Sequence, residues 1–259
     1  MTRRLALIFV ALVSTTSLVL AACASPPAAP ALTDPKDILA KTVLSLKDLK
    51  TVEFTGSLTG ILKVAELGGD LDLSSTRIFG AADLPNKKAK FSVDAPSLMG
   101  TKVDAILLDT AAYFKIDGLL AGMAGGVSGK YTKADVPASS GAPMSDPAEI
   151  AKAIDELNKA LNALPTPPSK GADEKCGDAD CYHVTLKMTA ADIARINPSA
   201  ASSAGEFTLD VWTRKNDLRP GKISLSVTTP DTGTIGMTFD FKYDVNVSVE
   251  APPADQIAP

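Results

Sequence analysis

The stretch TIGMTFDFKYDVNVSVEAPP, from Thr234 to Pro253, places an apolar residue at every second position: Ile235, Met237, Phe239, Phe241, Tyr243, Val245, Val247 and Val249. Side chains along a strand alternate between two faces. A period of two held over fifteen residues therefore predicts a long strand with one greasy face. Ordinary strands run to about five or six residues. Asp244 and Asn246 suit a tight connection, so a bend or turn is expected near Lys242–Asn246. An apolar face of this length has to be covered, either by the protein's own helices or by a ligand as greasy as itself.

The rest of the chain repeats the pattern. TVEFTGSLTGIL alternates through Val52, Phe54, Leu58 and Leu62, and LDLSSTRIF through Leu71, Leu73 and Phe79. KAKFSVDA contributes Phe91 and Val93, and VDAILLDTAAYFKI reads as strand, tight turn, strand. CYHVTLKM, EFTLDVWT and KISLSVTT are further strands, with turns at KNDLRPG and TPDTG. These signals recur at intervals of about ten to fifteen residues, as in an antiparallel meander. Three segments have helical spacing instead. Asp34-Pro35 is an N-cap followed by Pro at the first helical position, ahead of Ile38, Leu39, Val43, Leu46 and Leu49. Ser145-Asp146-Pro147-Ala148-Glu149 opens a stripe of Ile150, Ile154, Leu157, Leu161 and Leu164 that ends at Pro165. TAADIARI is a short helix opened by Thr189 and Asp192. The class predicted is α+β: a strongly curved antiparallel sheet of about ten or eleven strands, a half-barrel, with two or three helices at its concave face.

The N-terminus predicts export. Arg3 and Arg4 precede an apolar run, Leu5 to Leu20, and the small residues that lead to Cys23. LAAC, Leu20 to Cys23, resembles the bacterial lipobox, whose cysteine carries a diacylglyceryl group. Residues 1–22 are thus expected to be a lipoprotein signal peptide, and residues 23–33 a lipidated Cys23 with a Pro/Ala tether. Residues 34–259 are then a single domain. No later apolar run reaches the ~20 residues needed to span a bilayer, so the membrane is reached through the two acyl chains on Cys23. The expected location is the extracytoplasmic face of the cell envelope. Without Arg3 and Arg4 the balance is 24 basic to 30 acidic residues, a net charge of −6. That argues against nucleic acid as a partner and against electrostatic docking on anionic lipid. In an exported chain Cys176 and Cys181 suit a small disulfide loop. A zinc site built from Cys176, Cys181 and His183 is the rival reading, and it lacks a second CxxC or a second histidine.

Catalytic patterns are sparse. His183 is the single histidine, and alternation sends it to the polar face of its strand with Thr185, away from Tyr182, Val184 and Leu186. GxSxG, HExxH, GxGxxG and GxxxxGK[ST] do not occur. Asp231-Thr232-Gly233-Thr234 matches the DTG[ST] of aspartic proteases, but Thr229 and Pro230 stand where that motif needs apolar strand residues. The tetrapeptide is better explained as a turn. Gly118 to Tyr131, with five glycines in twelve residues, breaks the strand pattern and reads either as a loop at a cavity mouth or as a plain surface loop. No enzyme, cofactor or metal is expected.

The order of these features, together with FTLDVWTRKNDLRPGKISLSV and FDFKYDVNVSVEAPPADQI near the C-terminus, resembles the mycobacterial LppX/LprA/LprF/LprG lipoprotein family. The lipobox and the VSVEAPPADQI tail are the most specific parts of the likeness. The resemblance implies a half-barrel similar to the LolA/LolB lipoprotein carriers, with an apolar cavity that takes acyl chains of lipids or glycolipids. The Cys176–Cys181 loop departs from that pattern. Two functions stand: a lipid carrier that works without chemistry, and a structural or interaction lipoprotein whose core is closed. Alternation nominates the cavity residues as Val52, Phe54, Leu58, Leu73, Phe91, Val93, Leu225, Val227, Met237, Phe239 and Phe241. The second helix adds Ile154, Leu157 and Leu161.

Overall fold

In the computed structural model of the chain, residues 31–64, 69–118, 121, 129–135, 147–162, 164, 166–192, 205–229 and 233–258 are described. Residues 1–22, Cys23 and most of the tether lie outside them. So do most of the Gly118–Gly129 stretch, Asp146, and Asp231 and Thr232 of the DTG turn. Thr33–Pro259 forms a compact unit of its own.

The strands are β1 (Thr51–Val64), β2 (Gly69–Asp72), β3 (Arg77–Asp83), β4 (Lys88–Ala95), β5 (Thr101–Leu108), β6 (Ala111–Asp117), β7 (Thr132–Asp135), β8 (Ser169–Lys170), β9 (Glu174–Cys176), β10 (Ala179–Met188), β11 (Glu206–Arg214), β12 (Pro220–Thr229) and β13 (Gly233–Tyr243). Helix α1 is Pro35–Leu44 and α2 is Pro147–Asn162, and a 3-10 turn, Ser45–Asp48, follows α1. All the strand pairs are antiparallel. The order is β7-β6-β5-β4-β3-β1-β13-β12-β11-β10-β8, with β2 beside β1 and β9 beside β10. The sheet is curved and open, a half-barrel.

The first and last strands meet at its centre. β1 and β13 pair over nine residues, from Val52↔Tyr243 to Gly60↔Ile235. The greasy alternation outlasts its strand. β13 stops at Tyr243, and Asp244 turns the chain in a left-handed conformation, φ 56°. Thr51 holds this corner: its carbonyl accepts from Asp244 N (3.1 Å), and its hydroxyl donates to Val245 O (2.8 Å). The residues beyond the turn leave the sheet, yet Val249 is buried. The tail ends beside β6 and β7. There Tyr131 N donates to Gln256 O, and Ala258 N donates to Tyr131 O, both at 2.8 Å. Ile257 packs with Ala111, Tyr113, Tyr131, Ile106 and Leu108 as a small core on that side of the sheet. Periodicity read LDLSSTRIF as one strand; it is two, because the chain turns from Leu73 to Thr76.

Local chemistry explains α1. The Asp34 carboxylate accepts from Lys36 N at 2.8 Å, and Pro35 occupies the first turn. The helix buries Ile38, Leu39, Thr42 and Val43 against β10 and β11. Thr42 and Thr213 share a hydrogen bond between hydroxyls at 2.7 Å in this interface, which satisfies two buried polar groups. The next helix signal, at Thr189, is a reciprocal cap: Thr189 N and Oγ1 donate to the Asp192 carboxylate at 3.0 and 2.9 Å. Helix continues through Ala190–Asp192, and the remainder of that expected helix lies outside the described residues.

Tyr243 closes the strand. The guanidinium groups of Arg214 (4.9 Å) and Arg219 (5.3 Å) both lie over its ring, and its hydroxyl donates to Pro220 O (2.8 Å). Burial pushes the phenol well above the ordinary tyrosine range. The folded state therefore holds this proton more tightly than the unfolded chain does, and stability falls only as pH rises past the unfolded value near about 10. We expect Tyr243→Phe to cost about 1 kcal/mol at neutral pH, from the lost hydrogen bond. The deficit shrinks above about pH 10, because only the wild type must keep a phenol neutral. Thermal melts of both proteins from neutral to alkaline pH check this.

Candidate functional site: the apolar sheet face

The register assigns each side chain to a face, since residues directly opposite on paired strands point the same way. Phe91, Gly80, Phe54 and Phe241 form one row across β4, β3, β1 and β13. Val93, Ile78, Gly56, Phe239 and Ile223 form the next, extending to β12, and Leu58, Met237 and Leu225 the one after. Val52 lies opposite Tyr243, and Val227 opposite Ile235. Ten of the nominated residues therefore share one continuous face. On the other face stand Glu53, Thr55 and Ser57, opposite Lys242, Asp240 and Thr238.

Two glycines shape the centre. A Cβ on Gly80 would collide with the Phe54 ring, and one on Gly56 would lie 2.7 Å from Phe239 Cδ1. The missing side chains let the rings lie down on the neighbouring strand. Phe54 then touches three others: Phe239 edge-on at 5.7 Å between centroids, Phe241 at 6.0 Å and Phe91 at 6.5 Å. Such ring pairs add about 0.5–1.5 kcal/mol beyond area burial.

Covering of this face is uneven. Under α1, Val184 is 0% exposed, Leu186 4% and Val211 7%. From β12 to β6 most of the large side chains on the same face, Tyr243 apart, are only half-buried, and Phe91 and Phe114 are 38% and 45% exposed. The concave-face helices do not fill the half-barrel evenly. α2 packs chiefly on α1 and on the 3-10 turn, where Lys47 Nζ meets Asp155 Oδ1 at 2.9 Å. On α2, Ile154 is buried, Leu161 half-buried and Leu157 exposed. Leu73 is buried in the turn between β2 and β3, with its amide on Gly60 O at 3.0 Å. Ile78, Ile223 and Phe114 belong to the same face, and alternation alone does not single them out. In AAYFKI both faces are greasy, so Phe114 and Tyr113 compete for the inward assignment.

A pocket of about 410 Å³ lies near the Tyr243 end of β13, lined by Glu53, Thr55, Asp240 and Lys242 of the polar face together with Phe54, Phe241, Tyr243, Val245, Arg214, Gly221 and the turn Cys176–Ala179. Cys176 and Cys181 are disulfide-bonded, with Cα atoms 6.0 Å apart. His183 does point to the polar face, where it is fully engaged. Its ring stacks on Trp212 at 4.4 Å, Nε2 lies 2.9 Å from Asp210 and Nδ1 3.3 Å from Glu174. Trp212 Nε1 donates to Glu174 (3.1 Å), and Lys222 covers the indole at 4.4 Å. The cluster ties β9, β10, β11 and β12 together. Among the described residues no group of three or more acidic, His or Cys side chains is placed to hold a metal ion, and no helix is long and apolar enough to cross a membrane.

The sheet is thus an open half-barrel with α1 over one end of its apolar face. No family model matches the sequence, and no curated protein does either. Solved structures do resemble it. Lipoprotein LppX of Mycobacterium tuberculosis is 13% identical, with 83% of this chain and 98% of that one covered at a TM-score of 0.47. LprF from Mycobacterium bovis is 14% identical, with 84% and 96% covered and a TM-score of 0.48. The MucA/MucB complex of Pseudomonas aeruginosa is 9% identical, with 87% of this chain and 60% of that one covered at a TM-score of 0.39. These are likenesses in the course of the chain; what the site can do follows from its own side chains.

The uneven burial has a measurable consequence. Leu186→Ala, beneath α1, is expected to cost about 2–5 kcal/mol. Phe91→Ser, on the presented part of the same face, should cost less, about 1–2 kcal/mol. Urea unfolding of the two variants checks the difference.

Proposed function

We propose that this protein is a lipoprotein, anchored through diacylglyceryl on Cys23, that binds acyl chains of lipid or glycolipid on its apolar sheet face. It carries them across the cell envelope without catalysing a reaction. The observation that supports this most is the half-buried aromatic and aliphatic face spanning β12 to β6. Side chains that neither pack into a core nor face a partner strand are costly to keep in water, at about 25 cal/mol per Å². A bound acyl chain removes that exposure from both sides, gaining about 0.8 kcal/mol per buried CH₂. No charge or metal is needed to hold it. The nominated ligand residues are Val52, Phe54, Leu58, Phe91, Val93, Leu225, Val227, Met237, Phe239 and Phe241, with Leu73, Ile154, Leu157 and Leu161 at the margins.

Native mass spectrometry of the chain from Thr33 onward tests the reading. Co-purified lipid, or uptake of an added phospholipid, is expected. Phe54→Asp combined with Phe241→Asp should lower uptake at least tenfold while the fold is kept. A wild-type chain that comes out bare and takes up no phospholipid would instead be an interaction lipoprotein with a closed core.

A further inference from the structure

Beyond β13 the chain crosses the back of the sheet as a strap, and both of its ends lie on the polar face. At one end the Thr51 hydroxyl, on the side of Glu53 and Thr55, donates to Val245 O at 2.8 Å. At the other end Ile257 packs with Ile106, Leu108, Ala111, Tyr113 and Tyr131. The register puts these residues on the same side: Glu53 lies opposite Ala81, Ala81 opposite Lys90, Lys90 opposite Ile106, and Ile106 opposite Tyr113. Between the two ends Val249 and Pro252 are buried, and Ala81, on the face they cross, is 3% exposed. Five strand spacings separate β1 from β7, about 24 Å in all. The twelve residues after Val245 reach about 40 Å when extended, so the tail is long enough for the crossing.

We propose that this tail is a brace behind the ligand surface: it holds β3 to β7 in the shape that grips an acyl chain, and loosening it speeds the chain's release. The proposal rests on the lipid-binding reading above. The strap fastens the part of the sheet that has least to hold it. β7 is the last strand on its side, four residues long and exposed throughout. A short edge strand frays readily. Just before β7, Tyr131 donates its amide to Gln256 O and accepts from Ala258 N, so the tail gives this edge a second neighbour. β6 then carries the tail on one side and the ligand face on the other, in consecutive residues. Tyr113 belongs to the core that Ile257 completes, and Phe114 presents its ring on the apolar face. Ile106 alternates in the same way with Ala105 and Leu107 on β5. The half of the sheet sealed by α1 has its own cover and does not need the strap.

Two variants of the chain from Thr33 onward loosen the strap without touching the apolar face: a chain that ends at Pro252, and Ile257→Asp with the tail at full length. Hydrogen exchange of the β6 and β7 amides should speed up roughly tenfold or more in both. The amides of Tyr182, Val184 and Leu186, beneath α1, should keep their wild-type protection, which shows that the fold is retained. A fluorescent fatty acid displaced by excess unlabelled fatty acid in a stopped-flow mixer should leave both variants at least about ten times faster than it leaves wild type. If the shortened chain fails to fold, Ile257→Asp still decides. Unchanged exchange in β6 and β7, or faster exchange with an unchanged rate of release, overturns the brace and leaves the lipid-binding reading standing. No binding of any fatty acid or phospholipid by wild type overturns both.

Discussion

The pairing of β1 with β13 is the interaction on which the rest of the structure depends. It joins two runs of strands, β1 to β7 and β8 to β13, into one sheet. Its register is specified because one face is greasy and the other is not. Slipping β13 by a single residue would turn Phe239, Phe241 and Tyr243 to the side of Glu53 and Thr55. The same register places Phe54 over Gly80 and Phe239 over Gly56, so the aromatic centre of the site is a direct product of the seam. Thr51 and Asp244 then end the strand and send the tail away to its bridge with Tyr131.

The two halves use the same face differently. On β10 and β11 the inward residues are Tyr182, Val184, Leu186, Val211 and Thr213, and α1 seals them. This half is an ordinary core. On β12, β13, β1, β3 and β4 the large inward residues Ile223, Leu225, Met237, Phe239, Phe241, Phe54, Leu58, Ile78 and Val93 are just as apolar and stay half-buried. A protein under selection for stability alone would gain from covering or removing them. Keeping Phe54, Phe91, Phe239 and Phe241 in this state makes sense where a hydrophobic partner comes and goes.

Much of this was legible in the sequence, because a period of two depends on nothing but strand geometry. The alternation placed Phe54, Phe91, Met237, Phe239 and Phe241 on one face without knowledge of which strands were neighbours. Asp34-Pro35 and Thr189/Asp192 marked helix starts because caps are local hydrogen bonds. What could not be read is whatever depends on packing between distant segments. Val245, Val247 and Val249 continue the alternation, yet a left-handed Asp244 takes them out of the sheet. The stripe Ile154, Leu157 and Leu161 says that α2 has an apolar side, but not that α1 is its main neighbour. Nothing in the sequence pairs Gly221 with Cys176, so the place of the disulfide loop against β12 could not be read. His183 was rightly sent to the polar face, while its stacking on Trp212 needed the β10–β11 register to be seen.

The central claim is that the apolar face divides into a sealed core and a ligand surface. Methyl-detected NMR with a fatty acid carrying a nitroxide on its chain tests this most directly. The account predicts that the methyl signals of Leu58, Leu225, Val227 and Met237 broaden on addition of the labelled chain. Those of Val184, Leu186 and Val211, beneath α1, should stay sharp, as should those of Ile106 and Leu108 on the opposite face. Absence of broadening at Leu58, Leu225 and Met237, or broadening confined to Ile106 and Leu108, would contradict it.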